Sequence, residues 1–90
     1  MKRDRFQIFY DILSCIRDEG NDVKPTHVLY KSNISYQMLL EYVNSAKNNG
    51  LLKEVHDEKG KKRFVLTDRG YNFLSDFEKI REVEESYGLM

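Results

Sequence analysis

The chain has 90 residues, with 15 Lys+Arg against 15 Asp+Glu and a formal net charge of zero. That length makes one small domain, and that balance argues against a strong non-specific binder of polyanions. A single cysteine, Cys15, excludes an internal disulfide framework. His27 and His56 have no CxxC near either, which argues against a zinc site.

Residues 5–19 are predicted as the first helix, because Phe6, Phe9, Ile12, Leu13 and Ile16 recur at helical spacing. Gly20 is a good stop, and residues 20–24 read as a loop. The second helix is predicted over 26–32. Pro25, the one proline, stands at its start. Val28 and Leu29 are expected to face the core. Asn33 tolerates the left-handed conformation that ends a helix. Ile34 plugs the turn, and Ser35 is a good N-cap for the third helix.

That third helix is predicted over 36–48. Tyr36, Leu39, Leu40, Val43 and Ala46 give its expected buried stripe. The opposite face presents Gln37, Met38, Glu41, Asn44, Ser45 and Asn48. Asn49-Gly50 ends it. Two strands come next, 51–56 and 62–67, with Phe64 and Leu66 alternating inward. Gly60 is free to take positive φ in a charged tip running from Asp57 to Lys61. Thr67 can cap a last helix over about 68–86, and Gly70 allows a close approach near its start. Phe73, Phe77, Ile80, Val83 and Tyr87 form an apolar seam along it, widened by Leu74.

That order of elements is a winged helix-turn-helix: mainly α with a small β-hairpin (α+β). Residues 1–67 read as the winged helix-turn-helix domain. Residues 68–90 read as a dimerisation helix continuous with it. The first part carries 12 Lys+Arg and 9 Asp+Glu, the second 3 and 6. The mildly basic segment therefore precedes an acidic one, and local field rather than total charge steers a polyanion.

The block I34-S35-Y36, then Y42-V43, G50-L51-L52 and F64-x-L66-T67-x-x-G70, resembles the small archaeal winged-helix DNA-binding proteins with a C-terminal dimerising helix. The start of the third helix, with the short T-x-x-x-Y helix before it (Thr26 to Tyr30), carries most of the likeness. The resemblance covers about residues 5–80. It implies DNA binding, homodimerisation through an antiparallel coiled coil, and no catalysis. Two departures point away from an abundant chromatin protein and toward a gene-specific regulator or minor DNA-binding protein. They are the zero net charge and a last helix shorter than in long coiled-coil members.

Base readout needs hydrogen-bonding side chains near the start of the helix that enters the major groove. Gln37, Met38, Glu41 and Asn44 are the candidates. Gln pairs with adenine, Glu accepts from cytosine N4, and Met38 suits a thymine methyl. Lys31, Ser32, Ser35, Lys47, Lys59, Lys61, Lys62 and Arg63 are the candidate phosphate contacts, with Lys2, Arg3 and Arg5 as a second basic group. Phe73, Phe77, Ile80, Val83 and Tyr87 are the candidate dimer contacts. Tyr36 and Tyr42 are read as packing residues rather than stacking platforms, and Cys15 as a small helix residue.

The expected partners are double-stranded DNA and a second copy of the chain. No cofactor, small-molecule ligand or membrane partner is indicated. The N-terminus has no apolar signal run, so the expected location is cytoplasmic, with the nucleoid. No Gly-rich phosphate loop, metal-ligand spacing or nucleophile–base pair suggests an enzyme. The alternative class is a winged helix that binds protein in a larger assembly without touching DNA.

Overall fold

The computed structural model describes residues 4–19 and 24–89. Its elements are α1 (Arg5–Asp18), α2 (Pro25–Ser32), α3 (Tyr36–Asn48), β1 (Leu52–His56), β2 (Lys62–Leu66) and α4 (Asp68–Ser86). This is the expected winged-helix arrangement of helices and hairpin. Gly20 and the loop around it lie outside the described residues, as do Lys2 and Arg3.

Local chemistry sets the helix starts. Asp4 caps α1, its Oδ1 accepting from the Gln7 N–H at 2.8 Å. Ser35 caps α3, its Oγ accepting from the Met38 N–H at 3.1 Å. Thr67 caps α4 by accepting from the Gly70 N–H at 3.1 Å. Between α2 and α3, Asn33 adopts φ 53° and ψ 52°, so the chain reverses sharply. After α3, Gly50 takes φ 74°. The Leu51 N–H donates back to the Ala46 carbonyl at 2.9 Å, closing the helix through that left-handed residue.

One core joins every element. Ile8, Ile12, Leu13 and Ile16 of α1 meet Val28 of α2, and Leu39, Val43 and Ala46 of α3. Leu52, Phe64 and Leu66 close it from the hairpin, and Leu74 from α4. The strands are antiparallel, with Leu52 opposite Leu66 and Glu54 opposite Phe64.

Three packing expectations are corrected. Phe6 is 66% exposed, and Ile8 takes its place on the α1 stripe. The reason is position: Phe6 lies in the first turn, on the rim of an open cleft. Tyr36 and Leu40 are 60% and 38% exposed. The buried side of α3 is rotated the other way, so that Met38 and Tyr42 pack against the core instead.

At the far end of the molecule α4 runs on beyond the core, and the overall extents are 49 × 26 × 22 Å. Among the described residues no helix is long and apolar enough to cross a membrane.

Candidate nucleic-acid interface

The outward face of α3 carries Tyr36, Gln37, Leu40, Glu41, Asn44 and Asn48, all exposed. Gln37 and Glu41 lie one turn apart, and the Gln37 amide Nε2 donates to Glu41 Oε1 at 3.4 Å. Glu41 therefore orients Gln37 in the free protein. Met38, a candidate for base contact, is half-buried against the core and is turned away from this face.

The wing is built by an acidic residue. Asp57 Oδ1 accepts from the N–H groups of Lys59 and Lys61, each at 2.9 Å, while Gly60 turns at φ 78°. The Lys61 N–H bond comes first in holding the Asp57 carboxyl below its usual range, with the Lys59 N–H and the Arg63 charge adding to it. By residue type Asp57 is a charge that partly cancels the basic tip; its structural task is to fold that tip.

The candidate phosphate contacts separate into three groups. Lys31, Ser35, Lys59 and Lys61 are exposed, with Ser35 also serving as the α3 cap. Lys47, Lys62 and Arg63 are engaged with carboxylates. Lys47 Nζ lies 3.3 Å and Lys62 Nζ 3.7 Å from Glu54 Oε1, and Arg63 Nη2 lies 3.1 Å from Asp57 Oδ2. Ser32 is 2% exposed, inside the domain, and is corrected from a phosphate contact to a core residue. Its position opposite the surface arc of α2 puts it beside Val28, one turn back.

The Lys47–Glu54 pair also joins the end of α3 to β1, fixing the helix relative to the wing. Partial burial works to raise the Glu54 pKa, but the hydrogen bond and charge of Lys47, with help from Lys62, leave it lowered.

Arg5, from the second basic group, places its guanidinium 5.8 Å from the ring centroids of both Phe9 and Tyr42. It edges the open cleft of about 610 Å³ between α1, the end of α3 and α4. Phe6, Phe73 and Arg69 line the same cleft. Cys15 is half-buried, and burial pushes its thiol pKa up, which leaves it a packing residue rather than a reactive thiol.

The apolar seam of α4 divides. Phe77 stacks on Tyr10 of α1, ring centroids 4.6 Å apart, and Phe73 packs against the core. Ile80, Val83 and Tyr87 are 59%, 56% and 76% exposed. The covered half is held by a polar link the sequence does not signal. The Tyr10 hydroxyl donates to Glu78 Oε2 at 2.8 Å, and Arg17 Nη1 donates to the same oxygen at 3.2 Å.

The Tyr10 hydrogen bond comes first in lowering the Glu78 pKa. Burial opposes it, and the hydrogen bond and charge of Arg17 add to the lowering. A carboxylate depressed in the folded state contributes stability above its unfolded pKa and loses it as pH falls through the folded value. Glu78→Gln should therefore cost up to about 1 kcal/mol at pH 7, the ceiling for such a part-exposed link. The gap to wild type should narrow as pH drops below the ordinary glutamate value of 4.5. Urea midpoints at pH 7 and pH 3 measure this, and an equal gap at both would refute the link.

Two helices meeting at a tight turn, the second followed by a hairpin packed on its end, define a helix-turn-helix with a wing. The chain belongs to the winged helix-turn-helix family, which matches residues 2–85.

Its fold is similar to that of Sso10a-2, a DNA-binding protein from Sulfolobus solfataricus. The TM-score is 0.80 at 21% identity, over 94% of this chain and 85% of that one. It is similar to F93 from STIV, a winged-helix DNA-binding protein, with a TM-score of 0.72 at 21% identity, over 90% and 92% of the two chains. MepR, a transcription regulator of the Staphylococcus aureus multidrug efflux pump MepA, shares the fold with a TM-score of 0.77 at 13% identity, over 89% of this chain. This chain spans 61% of MepR's length. Comparison with curated proteins gave no match.

Proposed function

We propose that the protein is a homodimeric, double-stranded-DNA-binding transcriptional regulator. In this reading α3 enters the major groove and the wing lies on the backbone. The observation that carries the reading is the outward face of α3: Gln37, Glu41 and Asn44 project from it at helical spacing, covered by no other element among the described residues. Such a face beside a wing is what groove binding by this architecture requires. That the similar folds of Sso10a-2 and F93 belong to DNA-binding proteins supports it.

Gln37 and Asn44 are the candidate base readers, with Glu41 orienting Gln37. Lys59 and Lys61 at the tip, with Lys31, are the leading phosphate contacts. Lys47, Lys62 and Arg63 would have to share their charge with Glu54 and Asp57. A second copy of the chain would cover Ile80, Val83 and Tyr87 and give two recognition helices.

Fluorescence polarisation on a duplex at two salt concentrations tests the reading. Each neutralised phosphate adds about −0.9 to the slope of log K against log salt. Lys59→Ala with Lys61→Ala, carried by both wings of the dimer, should weaken binding to all duplexes alike and flatten the slope by roughly 3.6. Unchanged affinity and slope in the double variant would remove the wing from the interface.

The second reading is a protein-binding winged helix, favoured by the net charge of zero and by the acidic Glu41 on the outward face. Absence of duplex binding even at low salt would select it.

A further inference from the structure

We propose that Tyr36 and Leu40 read thymine, through apolar contact with its C5-methyl group in the major groove. This rests on the reading of α3 as the recognition helix. Between residues 36 and 46 that helix contains no Lys or Arg. Its lysine, Lys47, stands near the far end and lies 3.3 Å from the Glu54 carboxylate. So α3 is poorly equipped to gain affinity by neutralising phosphates. What it presents instead is amide hydrogen bonding from Gln37 and Asn44, and apolar surface.

The apolar surface is specific in its placement. Tyr36 is 60% exposed and Leu40 38% exposed. They are four residues apart, so they lie one above the other on a single helix face. They flank the Gln37–Glu41 pair, which occupies the same turns one position further on. Neither is among the buried core residues of α3, which are Leu39, Val43 and Ala46; they lie on the solvent flank of that stripe. An exposed apolar residue is ordinary by itself. A pair set on the first two turns of a groove-reading helix meets a particular chemistry. The only apolar group on the base edges of the major groove is the thymine methyl.

The geometry also moves this task away from Met38, which the core holds. Leu40 is one turn into the helix and can reach a methyl directly. Tyr36, in the first turn, offers its exposed ring to a second methyl.

The test compares two duplexes of one alternating A·T sequence, one with thymidine and one with deoxyuridine throughout. The second keeps every hydrogen-bonding group and lacks only the methyls. Wild-type protein should bind the uracil duplex more weakly, by roughly fourfold for each contacted methyl. Leu40→Ala and Tyr36→Ser, at exposed positions that leave the core intact, should each bind the thymine duplex more weakly and discriminate less between the two. Equal wild-type affinity for both duplexes would overturn the inference while leaving DNA binding standing. So would undiminished discrimination in both variants. Failure of the wild type to bind either duplex at low salt would overturn the DNA-binding reading itself.

Discussion

Replacing Gly70 by alanine is expected to destabilise the domain by about 2–3 kcal/mol, toward the upper end for overpacking. At an exposed helical site the same change would be favourable by about 1 kcal/mol. Here the added Cβ would stand 2.1 Å from the Leu51 carbonyl oxygen and 3.1 Å from Leu66 Cδ2. The first obstacle is backbone, so it cannot rotate away. It is also occupied, because the Leu51 carbonyl accepts the Thr67 N–H at 3.2 Å. Thr67 in turn caps α4 and donates its hydroxyl to the Gly50 carbonyl. Relieving the clash therefore disturbs the exit of α3, the start of β1 and the first turn of α4 together. A total stability of about 5–15 kcal/mol, usual for small domains, makes such a loss large. Urea unfolding should show the midpoint falling by roughly 1–2 M with the slope unchanged. A variant as stable as wild type would mean that the close approach is not tight in solution.

The helix ends and most of the core were legible in the sequence because both rest on local chemistry. Ser35 and Thr67 are small oxygen-bearing residues ahead of apolar periods, and each caps the helix predicted for it. Asn33 takes the left-handed conformation expected of it. Phe64 and Leu66 alternate inward as a half-buried strand demands.

What could not be read is which of two equally apolar flanks a neighbour covers. On α3 the shared spine is Leu39, Val43 and Ala46. Tyr36 and Leu40 flank it on one side, Met38 and Tyr42 on the other. Periodicity marks both flanks alike, and only the position of α1, whose Phe9 meets Tyr42 edge-on at 4.7 Å, decides between them. The charged groups fail for the same reason. Lys47 and Glu54 stand on different elements, and their pairing depends on how α3 meets the hairpin. Ser32 reads as a surface serine by type; its burial comes from where α2 lies.

Ile80→Asp is expected to give a monomer and to lower DNA affinity by about 100-fold or more, the scale on which linked sites reinforce each other. The argument begins from the division of the α4 seam. Tyr10 and the core cover Phe77 and Phe73, so these belong to the fold of one chain. Ile80, Val83, Tyr87 and Leu89, all more than half exposed, continue toward the end of the chain, past the part of α4 that the core covers. An exposed apolar strip of that length is the kind of surface an interface would cover. A second copy of the same helix would cover it with a self-complementary, two-fold contact. It would also set two α3 helices at a fixed separation, favouring half-sites about 34–36 Å apart or a multiple of that. An aspartate at Ile80 would place a charge within that strip while leaving Leu74, Phe77 and the Glu78 link undisturbed. The fold should therefore survive and circular dichroism should be unchanged. Sedimentation at tens of micromolar should find the wild type dimeric and the variant monomeric. A wild type that sediments as a monomer would remove both the dimer and the half-site spacing. A monomeric variant with undiminished affinity would leave the dimer but detach it from DNA binding.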